Sequence, residues 1–407
     1  MMQELFSTAT TRSRAQALLA RARAGQSTHF TVHDDALPSV ANLVAQTTRS
    51  RYPDLKIPYH SRWRHFEAGG VNRRAWLDEM HSGAATDPIT LIDLVVVSVL
   101  LDAGAGPSWH YKEARTGQVH TRSEGLGVAS FHAFCGGLFS SDPAQPLRVD
   151  AAGLQSLSSM KLAQAFQVTD SNPLVGLDGR VNLLRRLGKA LAEQSEVFGA
   201  SPARVGNLYA FMQLADIESA QSAMKSVVAH DLLSLLLKTL SRIWPSGSVF
   251  DGQAVGDCWP HAALGKSSTA NGWIPFHKLS QWLTYSLLEP FEWSGVQVSG
   301  LDSLTGLPEY RNGGLLLDGG ALQLKNAEAA NYAHQPHEEF IVEWRALTVA
   351  LLDQLAPLVR NQLGKTAHEM PLACILEGGT WAAGRVLAQN LRAGTPPLQI
   401  ESDGTIF

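Results

Sequence analysis

Three features are scarce in this 407-residue chain, and each scarcity excludes a class of protein. The only cysteines are Cys135, Cys258 and Cys374, which lie far apart and form no CxxC pair. A disulfide framework and a cysteine zinc site are therefore not expected, and a reducing cytoplasm fits the thiol content. The longest apolar run, Leu94 to Leu101, is interrupted by Ser98. It is far below the roughly 20 residues that cross a bilayer.

An excess of charge of one sign is also lacking. The 33 basic and 37 acidic residues give a formal net charge of −4, and no basic block occurs outside Arg12 to Arg23. Sequence-independent binding of nucleic acid needs a basic face, so we expect no nucleic-acid partner. The N-terminus carries Glu4 and an Arg/Ala segment instead of an apolar h-region, so no secretory signal is expected. These features predict a soluble cytoplasmic protein without a membrane partner.

Apolar residues are abundant, since 45% of the chain is hydrophobic and 17% charged. This content and the length suit one large domain, residues 1–407, with a two-lobed arrangement left open and no boundary assignable. Helical patterns dominate, so we predict a mainly α fold with a few short strands. The predicted helices are Thr11 to Ala24, Pro88 to Leu101, Asp150 to Phe166, Asp178 to Phe198, Pro202 to Met212, Ser222 to Ile243, Pro275 to Leu288, His337 to Leu363 and Gly378 to Leu391. The predicted strands lie near His29 to Val32, Ser248 to Phe250 and Gln399 to Phe407.

Long connectors rich in Gly, Pro and Trp separate these helices, near residues 58–70, 103–125, 245–275 and 293–320. Long irregular links in a compact protein are usually functional or disordered, and disordered links avoid tryptophan. We therefore expect ordered loops that line a pocket. The tryptophans of these loops are Trp63, Trp109, Trp259, Trp273 and Trp293, each of which could instead be ordinary core.

The segment Gly306 to Gly314 is the most distinctive of the connectors, because it carries Glu309, Tyr310 and Arg311 between residues that stop regular structure. Pro308 fixes its own φ, and the two glycines at 313 and 314 permit geometries closed to other residues. The sequence predicts a turn that holds a carboxylate, a phenol and a guanidinium as a site. The alternative is a surface turn whose charged side chains are only solvated.

Asp102 and Asp257 are two further candidate carboxylates, each beside an apolar or aromatic segment. Asp102 follows an apolar helix, where the helix dipole disfavours a negative charge, and Asp257 precedes Cys258 and Trp259 in a long link. Turn capping is the structural alternative for both.

Familiar motifs are missing. Gly265-Lys266-Ser267 has no first glycine at position 260 and no preceding strand, so it is not a phosphate-binding P-loop. His337-Glu338 lacks the second histidine of a zinc-protease helix, because position 341 is Ile341, although His334, His337 and Glu338 could still hold a metal. Glu377-Gly378-Gly379-Thr380 lacks the acidic strand of a phosphoribosyltransferase loop and suggests a helix cap with small-residue packing. We predict no metal and no organic cofactor.

Four segments together resemble the uracil-catabolism proteins of the Urc/Urg type, a family long described as a domain of unknown function. They are Trp63 to Gly70 (WRHFEAGG), Leu101 to Gly106 (LDAGAG), Asn172 to Arg180 (NPLVGLDGR) and Leu307 to Gly314 (LPEYRNGG). The resemblance spans nearly the whole chain. It implies a role in degrading uracil through its ribonucleotide and a ribosylurea intermediate, with release of urea.

A shorter likeness concerns the reaction step. Glu309-Tyr310-Arg311 is similar to an Asp-Tyr-Arg segment of the queuosine-phosphate N-glycohydrolases, helical enzymes distantly like helix-hairpin-helix DNA glycosylases. That likeness implies cleavage of an N-glycosidic bond to ribose phosphate. This chain has Glu309 where that family has its catalytic aspartate, which lengthens the side chain by one methylene.

These resemblances imply a hydrolase of ribosylurea phosphate or a related ribosyl nucleotide, with a small ribosyl phosphate as its ligand. Glu309 would face the cation-like sugar, and Asp102 or Asp257 would protonate the leaving nitrogen with a raised pKa. One of three arginines, Arg311, Arg73 or Arg122, would hold the 5′-phosphate through bidentate hydrogen bonds. The residues expected to contact the substrate are Arg311, Tyr310, Arg73, Glu67, Trp109, Tyr111, Arg122, Glu124, Trp259 and Asp318. A phosphoribosyltransferase and a non-catalytic nucleotide-binding protein are the alternatives, and the oligomeric state is left open.

Overall fold

Helices form most of the chain in the computed structural model, which describes residues 2–81, 83–219, 225–244 and 247–401. The predicted mainly α fold is confirmed. In the described part, no helix is both long enough and apolar enough to span a membrane. The strands are two to four residues long and occur in two-stranded pairs.

The chain divides into two compact units. The first unit comprises residues 2–60, 248–281 and 300–401, and the second comprises the described parts of 61–247 and 282–299. The helix Lys278–Trp293 contributes residues to both. The expectation of one catalytic domain over 1–407 stays a prediction.

The first unit is built around the long helix Glu339–Leu363, which packs against Thr8–Arg23 and Leu37–Arg51. Side chains on several of its faces are buried, as expected of a helix that lies inside a core. Its other helices are Tyr310–Asp318, Leu372–Ile375, the π-helix Leu376–Thr380 and Trp381–Arg392. Its strand pairs are Phe30–Val32 with Leu322–Leu324, Ser248–Phe250 with Gln253–Gly256, Cys258–Pro260 with Trp273–Pro275, and Ala333–His334 with Gln399–Ile400, the last pair being parallel.

The second unit is built around Pro88–Leu100, whose residues from Thr90 to Leu100 are all buried. Asp87 caps this helix through the backbone N–H of Thr90, and Pro88 occupies its first turn. The other helices are Trp63–Phe66, Arg73–Met80, Arg122–Cys135, Ala151–Gln155, Ser159–Ala165, Leu177–Glu193, Ser195–Phe198, Leu208–Ser219 and Ala229–Leu240. The strand pairs are His110–Lys112 with Val119–Thr121, antiparallel, and Ser226–Val228 with Gln297–Ser299, parallel.

Most predicted helices are present, with shifted ends. Two predictions are wrong because a break was missed: Asp150 to Phe166 is divided where Ser158 caps a new helix, and Asp178 to Phe198 is divided at Gln194. Pro202 to Met212 starts too early, since its α-helix begins at Leu208. Residues 222–224 and 402–407, which belong to a predicted helix and a predicted strand, lie outside the described residues.

Candidate functional site

Glu309 is the N-cap of a helix in the first unit. The helix Tyr310–Asp318 begins directly after it, and its carboxylate accepts hydrogen bonds from the backbone N–H groups of Arg311 at 2.7 Å and Asn312 at 2.6 Å. These N–H groups have no partner within the helix, so the carboxylate satisfies them and is fixed by them. The predicted turn is therefore wrong, because Gly313 and Gly314 lie inside the helix. The expectation that Glu309 is held in place is confirmed.

The surroundings of Glu309 oppose its ionisation. The residue is 8% exposed, and this burial raises the pKa of its carboxyl group. The two backbone N–H groups and the charges of Lys278 and His60 act in the opposite direction but do not offset burial. Among the described residues, no cation lies within ion-pair distance of Glu309. Buried charges are usually paired, and a buried carboxylate without a paired cation marks a candidate functional site.

Two buried polar atoms near this helix N-terminus have no hydrogen-bond partner among the described residues. Asn312 is fully buried and donates to the carbonyl of Leu307 at 3.0 Å, but its side-chain oxygen accepts no hydrogen bond from any described residue. Arg311 is 4% exposed and its Nε has no acceptor within the described part of the chain. Because buried polar atoms are nearly always satisfied, these groups indicate a place for a ligand or bound water.

A second polar group of the same unit lies in the π-helix Leu376–Thr380. The carboxylate of Glu377 accepts hydrogen bonds from Arg51 at 2.8 Å and from the hydroxyl of Tyr52 at 3.1 Å, and it lies 2.9 Å from Nδ1 of His60. Burial raises the pKa of Glu377, but the hydrogen bonds and charges of His60 and Arg51 outweigh it and lower the pKa to about 2. Glu377 is therefore ionised at neutral pH, and Nδ1 of His60 carries a proton. Single π-helical turns inside helices occur frequently at functional sites.

His60 interacts electrostatically with both Glu309 and Glu377, because its charge opposes the effect of burial on the pKa of each carboxyl group. The helix Tyr310–Asp318 packs against the π-helix and against Trp381–Arg392. Sequence reasoning missed His60 and Glu377, which are separated by 317 positions. The helix cap predicted at Glu377 to Thr380 is wrong, because these residues lie within a π-helix that Trp381–Arg392 follows directly. The small-residue packing predicted there is confirmed, because a Cβ at Gly379 would collide with Thr48 and Val44.

Asp257 does not have the environment predicted for an acid. Its Oδ1 accepts from Arg345 at 2.7 Å and from the indole N–H of Trp259 at 2.8 Å, and its Oδ2 accepts from Arg345 at 2.7 Å and from the backbone of Lys278 at 3.0 Å. Burial raises the pKa of Asp257, but Arg345 and the other donors outweigh it and lower the pKa to about 2. The predicted rise in pKa is wrong, because the carboxylate is paired with Arg345, which lies 88 positions away in the chain. This carboxylate joins three segments of the first unit.

Asp102 lies in the second unit, just beyond the C-terminal end of Pro88–Leu100. Its Oδ1 is 2.9 Å from Nη1 of Arg62, and its Oδ2 accepts from the hydroxyl of Ser123 at 3.1 Å. The paired cation explains how a carboxylate is tolerated at the negative end of a helix. Burial lowers the pKa of Arg62, and the negative charges of Asp102 and Glu124 both oppose this effect. Two of the predicted residues therefore interact with this arginine. The role of Asp102 as an acid stays a prediction.

Arg73 pairs with Glu113, a buried carboxylate that the sequence prediction missed; burial raises the pKa of Tyr111, and the charge of Glu113 raises it further. Arg73 is fully buried and donates to Glu113 at 2.7 and 2.6 Å, and its remaining N–H groups face the carbonyls of Phe66 and Ala68 and the ring of His120. All five N–H groups of the guanidinium are thereby used. These contacts explain Arg73 as a structural residue and do not support its assignment to phosphate binding.

The other predicted contact residues have varied environments. Trp109 is fully buried and donates to the carbonyl of Phe166 at 3.0 Å, and Asp318 pairs with Arg392 at 2.5 Å. Tyr310 is 38% exposed, with the guanidinium of Arg311 4.9 Å from its ring centroid. Their roles in binding stay predictions, as do those of the buried Tyr111 and Trp259, the half-buried Glu124 and the exposed Glu67 and Arg122.

The candidate metal ligands His334, His337 and Glu338 lie at the end of a parallel strand of the first unit and directly after it. His334 pairs with Glu338 at 2.7 Å. Within the described ranges, no group of three or more His, Cys, Asp or Glu side chains is arranged to hold a metal ion.

Comparison with known proteins identifies the family. A family model described as "Protein of unknown function (DUF1688)" matches residues 4–407. "Protein urg3" of Schizosaccharomyces pombe is 40% identical over 414 aligned positions, which cover 99% of this chain and 98% of that protein. "Uracil catabolism protein 4" of Lachancea kluyveri is 37% identical over 416 positions, which cover 94% and 93%. The chain therefore belongs to the DUF1688 family, and the resemblance predicted from its four segments is confirmed.

Proposed function

We propose that this protein acts in uracil catabolism and hydrolyses the N-glycosidic bond of ribosylurea phosphate, or of a related ribosyl nucleotide, to urea and ribose phosphate. The pathway is supported by the name of the Lachancea kluyveri relative. The reaction is supported by one observation above all. Of the three predicted catalytic carboxylates, only Glu309 is buried without an ion-pair partner among the described residues.

Glu309 has the properties that cleavage of a riboside requires. When the bond between C1′ and nitrogen breaks, positive charge develops on the sugar, and a fixed carboxylate nearby stabilises it. The backbone N–H groups of Arg311 and Asn312 hold the carboxylate of Glu309 in one orientation. Burial removes competing water, so its charge acts more strongly on a cation than it would in solvent. In this proposal, water adds its hydroxyl to C1′ as the nitrogen departs.

The departing nitrogen needs a proton, and His60 is our candidate donor in the first unit. Its Nδ1 is held 2.9 Å from the ionised Glu377, which balances the charge of a protonated imidazole. Water gives its hydroxyl to C1′ and its remaining proton restores His60, so the proton given to urea and the hydroxyl taken by the sugar together account for one water molecule. Arg311 is the candidate for the phosphate, because its buried Nε lacks an acceptor among the described residues.

The test is an assay of the purified protein with ribosylurea 5′-phosphate, in which urea and ribose 5-phosphate are both measured. We expect equimolar release of the two products. Glu309→Gln should lower kcat/KM by at least about a hundredfold, since it removes the charge opposite the sugar cation but keeps the size of the side chain. Asp87→Asn is the matched control, because Asp87 also caps a helix and its neutralisation should leave kcat/KM within about twofold.

Two results would contradict the proposed reaction, and a third would contradict only the role given to Glu309. Release of pyrophosphate from uracil and a phosphoribosyl donor, with no hydrolysis, would indicate a transferase. Thermal stabilisation by the nucleotide without any product would indicate a binding protein. Full activity of the Glu309→Gln variant would remove Glu309 from the reaction.

A further inference from the structure

A pocket of about 340 Å³ lies in the second unit, and none of its lining residues is assigned above to the reaction. Its apolar wall is formed by Trp76, Met80 and Phe131, and Glu79, Arg115, His132 and Cys135 complete the lining. Phe131 is 2% exposed and lies at the buried end, whereas Met80 is 50% exposed. A volume near the lower limit of typical ligand pockets suits a ligand of one ring.

His132 is the anchored polar group of this pocket. Its Nε2 lies 2.6 Å from Oε1 of Glu113, whose side chain is fully buried and also accepts from Arg73 and from the hydroxyl of Thr116. Tyr111 stacks on the imidazole with ring centroids 6.1 Å apart. The ring is thus fixed in position and orientation by groups behind the pocket, as in many binding sites.

The contacts of Glu113 determine which ring nitrogen of His132 carries the proton. Burial raises the pKa of Glu113, but Arg73, His132 and Thr116 outweigh it and lower the pKa to about 2. An ionised carboxylate only accepts, so Nε2 of His132 donates to it. In neutral His132, Nδ1 is then an acceptor, and no described residue forms a hydrogen bond with it.

The other charged groups of the lining favour an uncharged ligand. Arg115 and Glu79 form an ion pair at 3.0 Å, so their charges largely cancel. The guanidinium of Arg115 also lies 4.0 Å from the ring centroid of Trp76. Cys135 contributes no charge, because burial raises the pKa of its thiol to about 12.

We propose that this pocket binds a small, planar, uncharged ligand with one ring, which rests against Trp76, Met80 and Phe131 and donates an N–H or O–H hydrogen bond to Nδ1 of His132. The site does not depend on the reaction proposed for Glu309. It would give the protein a second binding function, carried by the other unit.

The test uses three related probes whose charge and donors differ, namely uracil, 1,3-dimethyluracil and orotate. Binding to the full-length protein is measured by saturation-transfer NMR, which suits the Kd on the order of 0.1–1 mM expected of so small a ligand. We expect uracil to bind, and 1,3-dimethyluracil, which has no N–H, to bind at least about tenfold more weakly. Orotate, which carries a carboxylate, should also bind more weakly than uracil.

Two variants locate the binding. His132→Phe keeps an aromatic ring and removes both nitrogens, so it should weaken uracil binding about tenfold, whereas Glu309→Gln should leave it unchanged. Loss of binding in Glu309→Gln but not in His132→Phe would place uracil in the first unit and overturn the proposal. Equal binding of uracil and dimethyluracil, tighter binding of orotate, or no binding of uracil to the unmodified protein would also overturn it. The comparison of the three probes uses the unmodified protein, so it tests the proposal even if His132→Phe does not fold.

Discussion

Replacing Asp257 by Asn should destabilise the first unit, and its main effect should be on stability and not on the catalytic step. The carboxylate accepts four hydrogen bonds, two of them from Arg345, which is 1% exposed. Removing one partner of a buried ion pair leaves the other charge uncompensated, and this typically costs about 3–5 kcal/mol. We expect a loss of that order for Asp257→Asn.

The pKa of Asp257 gives a second measure of the same interaction. The pKa falls from 3.8 to about 2 in the folded protein, because Arg345 and three other donors outweigh burial. A lowered pKa stabilises the folded state above the pKa of the unfolded chain, and this contribution is lost as pH falls from about 4 towards 2. The shift corresponds to roughly 2 kcal/mol, which is the part of the stabilisation that acid removes.

Hydrogen exchange measured by mass spectrometry can report this loss locally, because the backbone N–H of Lys278 donates to Oδ2 of Asp257. A loss of about 3 kcal/mol should speed exchange of the peptide covering residues 273–282 about a hundredfold. Asp34→Asn is the matched control, since Asp34 pairs with Arg23 at the surface and its loss should cost no more than about 1 kcal/mol. If Asp257→Asn abolished activity while exchange stayed unchanged, the structural interpretation would be refuted.

Three further predictions test other parts of the structure. Glu113→Gln leaves the fully buried Arg73 without its carboxylate, so it should lower the free energy of unfolding by about 3–5 kcal/mol; an unchanged urea midpoint would contradict this. Gly384→Ala places a Cβ against the carbonyl of Arg311. This overpacking should lower the free energy of unfolding by about 1–3 kcal/mol and reduce activity. An unchanged melting temperature would show that the close approach is relieved at no cost. Burial raises the pKa of Glu309, so in the proposed reaction kcat/KM should fall on acidification with a midpoint above the ordinary 4.5, and a midpoint at or below 4.5 would contradict it.

The sequence predicts those helices whose first and last residues are determined by their neighbours in the chain. Pro88–Leu100 is one of them, because Asp87 caps its first turn, Pro88 opens it, and the glycines at 104 and 106 prevent its extension. The missed break inside Asp150 to Phe166 is also local, since Ser158 accepts from the backbone N–H of Lys161 and starts a new helix. Serine occurs in helices and at caps alike, so its presence alone does not show the break.

The helix Tyr310–Asp318 could not be predicted in the same way, because its glycines are required by contacts with residues far along the chain. A Cβ at Gly313 would lie 2.6 Å from the ring of Trp344, and one at Gly314 would lie 3.1 Å from Pro397. These positions need a small side chain to allow close packing, and Gly313 and Gly314 have no positive φ. A glycine pair at a turn and a glycine pair under a tryptophan look identical in a sequence, so only the tertiary contact distinguishes them.

The three carboxylates predicted as catalytic show the same limit for chemistry. The sequence places Asp102 after an apolar helix and Asp257 and Glu309 in long connectors, but it does not show which of them has a charged partner. Asp257 is held by Arg345, 88 positions away, and Asp102 is paired with Arg62. Among the residues that the structure describes, Glu309 has only backbone N–H groups and more distant charges to offset its burial. Since an unpaired carboxylate keeps its charge available to a reacting cation, this difference favours Glu309 over the other two, and no local pattern could have shown it.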